Sequence, residues 1–269
     1  MNGKKKIVKL TILAALCLGI STASAATGHW NDASLNKAHT TQTVLGQQTS
    51  WSEWKTGWAQ IADDFKQVSI APGSNEKQLN FAWYSQVKNA PCVRIASNSA
   101  MADAKEFVGK SLPGTIVSGK QYFANKVTAL GFQPCKTYYY QVNIDGQWQK
   151  PQVYKTKDFK AFSFILMGDP QIGASKGQLP SESKTKQDGE VAARNDAYNW
   201  NTTLNTVIAQ HPDISFILSA GDQINEAVTS GKAEKITTQE HQYAGFLSPL
   251  PLKHLPLATT IGNHDSLTV

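Results

Sequence analysis

Long apolar runs, cysteine and charge are all scarce in this sequence, and each shortage removes a class of protein. Of its 269 residues only three are cysteine and 17% are charged, while 41% are hydrophobic, a globular composition and not a disordered or fibrous one. The longest apolar stretch, Ile7 to Ile20, is broken by Lys9 and Thr11 and falls short of the roughly 20 residues that a membrane-spanning helix needs. No later stretch is long enough either, so no stable membrane anchor is expected. Internal repeats and low-complexity tracts are absent. The formal net charge of +6 owes four lysines to the first nine residues (Lys4, Lys5, Lys6 and Lys9), which leaves the rest nearly balanced and gives nucleic-acid binding no electrostatic support.

The lysines, the apolar run and the small residues Ala23-Ser24-Ala25 form the three parts of a cleavable signal peptide over residues 1–25. A secreted, periplasmic or cell-surface protein is therefore expected. Loss of the leader removes Cys17 and leaves Cys92 and Cys135 in an oxidising compartment. A disulfide between them would stabilise the chain by roughly 4 kcal/mol on the chain-entropy model, and two buried free thiols are the alternative.

Three grammars follow one another along the mature chain. Residues 26–66 hold Trp51, Trp54, Trp58, Ile61 and Phe65 at spacings of three and four, one face of a short amphipathic helix in an N-terminal extension. Residues 67–158 alternate short strand-like runs with turn residues: Val68 to Ala71, Leu79 to Tyr84, Cys92 to Ser97, Lys120 to Leu130, Thr137 to Ile144 and Val153 to Thr156. Pro72-Gly73 and Pro113-Gly114 punctuate them and Asp145-Gly146 is a hairpin turn, so an antiparallel β-sandwich is expected. Residues 159–269 switch to apolar runs, Ala161 to Met167, Ile214 to Ser219 and Leu257 to Ile261, separated by expected helices over Asp196 to Gln210 and Gln239 to Leu247. That order gives a parallel sheet with helical crossovers, an α/β arrangement. The polar stretch Gly173 to Gly189 reads as a long loop at a strand's carboxyl end.

Each apolar run ends alike: Gly168-Asp169-Pro170-Gln171, Gly221-Asp222-Gln223, and Gly262-Asn263-His264-Asp265. In an open parallel sheet the carboxyl ends share one edge, so these oxygen-bearing residues should converge. Hard or borderline cations take carboxylate, amide and imidazole ligands, and a pair of cations needs a bridging carboxylate. Asp222 on the middle motif is the natural bridge, with Asp169 serving one metal and Asn263 the other. A single Gly-Asp after a strand is commonly just a turn; three such motifs in order are not.

The succession GD, GD, GNHD resembles the first three blocks of the calcineurin-like metallophosphoesterases, and a sandwich placed before them is similar to purple acid phosphatases. Leu130 to Pro134 leading into Tyr138-Tyr139-Tyr140 resembles the end of that family's fibronectin III-like domain. The resemblance implies a dinuclear centre of divalent or trivalent ions, Fe, Mn or Zn, that activates water or hydroxide for attack on a phosphoester small molecule. It also implies that His264 stabilises the transition state or protonates the leaving group, with Asp265 orienting or charge-stabilising it.

Two positions depart from the pattern. Gln171 stands where many relatives have a histidine, and Asn225 stands where purple acid phosphatases have a tyrosine, so both are weaker ligands at the first metal. The family also supplies three histidines beyond the GNHD block, and His29, His39, His211, His241 and His254 match none of them. The chain is thus expected to be the front portion of a hydrolase, inactive alone and missing the C-terminal part of its own domain. A non-catalytic binding module built on the sandwich and the tryptophan-rich start is the rival reading, and an enzyme of nucleotides or cyclic nucleotides shares the same chemistry.

Overall fold

The computed structural model describes residues 33, 41–42, 48–117, 119–180, 182–225 and 239–265. The expected leader at 1–25 lies outside them. A two-stranded ribbon comes first, β1 (Thr41–Gln42) with β2 (Gln48–Thr49), followed by α1 (Trp51–Ala62). Ser50 starts α1 with a capping box: its hydroxyl accepts from Glu53 N while the Glu53 carboxylate accepts from Ser50 N.

Nine strands follow: β3 (Ser69–Pro72), β4 (Gln78–Ser85), β5 (Cys92–Ala96), β6 (Lys105–Val108), β7 (Lys110–Val117), β8 (Lys120–Leu130), β9 (Thr137–Ile144), β10 (Gln147–Trp148) and β11 (Gln152–Lys155). One antiparallel sheet runs β3-β4-β8-β7; the other runs β10-β9-β5-β6, with β11 also on β9. Leu79, Phe81 and Trp83 of β4 alternate inward and meet Val93, Ile95, Tyr140 and Val142 from the facing sheet. Period-two burial of this kind is what a sandwich requires, and each large apolar side chain so buried contributes roughly 1.5–3 kcal/mol. The turn at Asp145-Gly146 has φ of 52° and 85° and joins Ile144 directly to Gln147, the expected two-residue hairpin.

Two strands here carry no apolar alternation to betray them. β6 is largely exposed and β7 half so, and Pro113-Gly114, which reads as an interruption, lies inside β7 where its register with β8 shifts.

The expected disulfide is not formed: Cys92 and Cys135 are free thiols. The register explains why. Ala96 pairs with Tyr139 and Val93 with Val142, so Cys92 lies near Asn143, whereas Cys135 precedes the start of β9. About eight residues of extended chain, on the order of 25 Å, separate the two, far beyond the roughly 4.4–6.8 Å between Cα atoms that a bond needs. Cys92 instead sits 3.8 Å from the Glu106 carboxylate, and burial with that neighbouring charge pushes its thiol up.

The last part is a parallel sheet in the order β12 (Ser163–Met167), β13 (Ile214–Ser219), β14 (Leu257–Thr259). Between the strands run α2 (Gly189–Gln210), α3 (Gln239–Leu247) and a 3₁₀ turn at Leu250–Lys253. α2 starts seven residues before the expected Asp196 because Asp188 caps it, accepting from Val191 N at 2.8 Å. β14 stops at Thr259, two residues short of expectation.

One face of this sheet is covered by helices. Trp51, Trp54 and Trp58 of α1 join Tyr198, Leu204, Ile217, Phe246 and Leu257 in a single core, so the tryptophan stripe is packing. On the other face, among the described residues, Phe164 is 40% and Leu166 64% exposed, with Phe164 stacked on Phe216 at 5.2 Å. The sandwich is joined to this part through Lys253 Nζ on Val68 O (2.6 Å), Tyr140 Oη on Lys253 O (2.8 Å) and Gln67 Nε2 on Ala244 O (3.0 Å). Among the described residues no helix is long and apolar enough to cross a membrane.

Candidate functional site

Because β12, β13 and β14 run parallel, the chain leaves all three at one edge, and the three motifs meet there. The loops after β12 and β13 continue side by side: Asp169 N donates to Gly221 O (3.2 Å), Gln171 N to Asp222 O (2.9 Å) and Ile172 N to Gln223 O (3.2 Å). Asn225 N returns to Ile172 O at 3.0 Å.

The backbone at this edge is unusual. Asp169, Gln171 and Asp222 hold φ of 55°, 36° and 51°, in the left-handed region that costs a side-chain-bearing residue on the order of 1 kcal/mol or more. Half of the six non-glycine residues with positive φ among the described residues therefore lie here. Gly221 and Gly262 pack back to back so closely that a Cβ on Gly262 would stand 2.0 Å from Asp222 Oδ1, and one on Gly221 2.6 Å from Gly262 N. Only glycine permits that approach.

Asp222 is the hub. Its Oδ1 accepts from His264 N at 2.9 Å and its Oδ2 from Gln171 Nε2 at 3.3 Å, and the Asp169 side chain is within hydrogen-bonding reach. Burial works to raise its carboxyl, but the His264 amide, Gln171 and Asp169 outweigh it and hold the group below the usual carboxylate range.

His264 and Asp265 each make hydrogen bonds to backbone of the second motif's loop. His264 Nδ1 lies 2.5 Å from Asn225 O, so a backbone carbonyl orients the imidazole. The Asp265 carboxylate accepts from Gln223 N (2.9 Å), Ile224 N (3.3 Å) and Gly262 N (3.0 Å), which ties the second motif to the third. It also faces Tyr243, whose hydroxyl is pushed up to about 12 by burial first and by this charge second. Asn263 is exposed between the two anchored residues Gly262 and His264. Gln171 reaches Asp222 through its amide nitrogen, and Asn225 is engaged through both backbone groups, its N–H also meeting Gln242 Oε1 at 3.0 Å.

Several supporting residues escaped the sequence reading. Buried Asp196 accepts from Gly173 N (2.9 Å) and Ser175 N (3.0 Å), which shapes the loop after Gln171. Gln187 accepts from Asn195 Nδ2 at 2.6 Å and donates to Ser175 O at 3.3 Å, which closes that loop on α2. The available signal was polar residues at Asn195, Asp196 and Gln242 on otherwise inward-facing helix positions.

As a cation site the edge is partial. Its oxygen donors are Asp169, Asp222, Asn263 and the amides of Gln171 and Asn225, and among the described residues no group of three His, Cys, Asp or Glu is arranged to hold a metal ion. The set suits part of a hard-cation centre and falls short of a closed coordination shell.

No curated protein matches the chain. Among solved structures it is similar to a purple acid phosphatase from yellow lupin (Lupinus luteus) seeds, with 13% identity, TM-score 0.49, and coverage of 74% of this chain and 36% of that one. An amylomaltase from Corynebacterium glutamicum follows at 12% identity and TM-score 0.28, covering 77% of this chain and 28% of the other. The chain thus spans about a third of the lupin enzyme's length. Residues 65–156, the sandwich, match the family model described as the purple acid phosphatase N-terminal domain. The match covers about a third of the chain, so what it shows is a purple acid phosphatase N-terminal-like domain within it.

Proposed function

We propose that this chain is the front part of an exported, metal-dependent phosphoester hydrolase, with the β-sandwich as its N-terminal domain and the parallel sheet as the start of a metallophosphoesterase domain. The observation that supports it is the pairing of the loops that carry Asp169 and Asp222 at the carboxyl edge of the sheet, Asp169 N on Gly221 O and Gln171 N on Asp222 O, with both aspartates in left-handed backbone. Asp169, Asp222 and Asn263 would hold the cations, with Gln171 and Asn225 as weak amide donors. A pair of such ions supplies a nucleophilic water near neutral pH and charge neutralisation at phosphorus. The chain's own part is positional: Asp222 is fixed by His264 N and Gln171, and His264 is held by Asn225 O with its other ring nitrogen available to a leaving oxygen.

The exposed apolar residues Phe164 and Leu166 on one face of the sheet favour a further covering layer there. The lysine-rich leader supports export, and the substrate is a small phosphoester. The test uses the parent polypeptide and a chromogenic aryl phosphate. Turnover should vanish with a chelator, return with added Mn²⁺, Zn²⁺ or iron, and fail to return in Asp222→Asn. Chelator-insensitive turnover, or an Asp222→Asn variant as active as wild type, rejects the reading.

A further inference from the structure

His241 opens α3 and stands apart from the candidate site, in contact with two other helices. Its Nε2 lies 3.2 Å from Asp63 Oδ1 at the C-cap of α1, and its Nδ1 lies 3.0 Å from Glu190 Oε2 in the first turn of α2. Phe65 stacks on the ring at 5.8 Å with an interplanar angle of 12°. Trp58 Nε1 donates to the other Glu190 oxygen. On its own helix, Glu240 accepts from Thr115 Oγ1 of β7 at 3.2 Å, so the neighbouring charge is directed to the sandwich.

An ionised carboxylate only accepts hydrogen bonds. A histidine with one such group at each ring nitrogen therefore has to donate from both, which only the imidazolium can do. We propose that protonated His241 is a clamp that binds α3 to α1 and α2, and that its deprotonation loosens α3 and the loops this helix supports. The Glu190 hydrogen bond foremost, then the charges of Glu190 and Asp63, raise the histidine against the opposing effect of burial.

The next residue carries the consequence to the candidate site. Gln242 is almost fully buried, accepts from Asn225 N at 3.0 Å, and lies so close to Gly173 that a Cβ there would meet its Oε1 at 3.1 Å. Asn225 in turn holds the His264 ring. The order of the loops after β12 and β13 should thus be greatest in acid and decline as pH rises. The clamp does not depend on the hydrolase reading, because its contacts involve none of the proposed metal ligands.

The test is NMR of the full chain. In wild type, the His241 ring should titrate with a midpoint above the ~6.5 of a free imidazole. Protection of the Asn225 and Gly173 amides from hydrogen exchange, corrected for intrinsic rates, should fall across that midpoint. Glu190→Gln should move the midpoint down, and His241→Gln should make the protection independent of pH. A wild-type midpoint at or below ~6.5, or amide protection unchanged across the titration, overturns the clamp. Both wild-type measurements stand even where a variant fails to fold.

Discussion

Gly262 has no room for a methyl group. With Asp222 Oδ1 2.0 Å and Asp222 N 2.4 Å from where a Cβ would sit, Gly262→Ala should push the third motif off the second and destabilise the chain by about 1–3 kcal/mol. The midpoint of urea unfolding measures it, and an unchanged midpoint would show that the two glycines do not meet. Asp196 makes a second case. Asp196→Ala leaves the buried N–H groups of Gly173 and Ser175 without their acceptor, at roughly 1–3 kcal/mol apiece, whereas Asp196→Asn keeps one acceptor oxygen and should lose visibly less. Equal losses in the two variants would show that side-chain volume, and not the two hydrogen bonds, is what matters there.

At the scale of elements, α1 and α2 are ordered by their ends and by one indole. Asp188→Ala removes the side-chain acceptor for Val191 N and should lower stability by about 1 kcal/mol, with far-UV circular dichroism following the loss of the first turn. Trp54 is fully buried and donates from Nε1 to Arg194 O at 2.8 Å, so Trp54→Ala should cost about 3–5 kcal/mol and free α1 from α2. If α1 were a loosely attached extension, that variant would unfold at the wild-type midpoint. The stripe of tryptophans was legible from its spacing, but its partner was not, because a helix's periodicity names the buried face without naming what covers it. In the same way β6, β7 and the first two turns of α2 were hidden: exposed strands and capped polar turns owe their existence to neighbours across the sheet and to Asp188, not to an apolar rhythm.

Across the whole molecule a half-buried histidine and a buried lysine pull stability in opposite directions with pH. His241 has its folded value raised, so its contribution is complete below ~6.5 and is lost as pH climbs through that folded value. Lys253 is pushed down to about 8, chiefly by burial, so the unfolded chain binds the proton more readily and stability should recover as pH rises from about 8 toward 10.5. Urea midpoints across that range should therefore dip and then rise, and Lys253→Met should remove the rise; a rise that persists in the variant assigns it to another group. The free thiols add a separate expectation: a thiol reagent should modify exposed Cys135 without prior reduction, and reductant should leave the unfolding midpoint unchanged. A midpoint lowered by reductant would restore the disulfide.

Antiparallel pairing over the middle of the chain and a parallel sheet after it were legible in the residues alone, because alternation in period two and continuous apolar runs are imposed locally by which faces of a strand are buried. The sequence also marked the three Gly-containing motifs, since close backbone approach at a strand end demands that residue. What those motifs do to one another is set by packing between distant segments. His264 Nδ1 meets Asn225 O, Asp265 fastens the second motif to the third, and Cys92 and Cys135 are kept apart by the register of β5 on β9. Hydrogen-bond partners and register are relations between distant segments, set by how whole strands and helices pack, and no single stretch of residues encodes them.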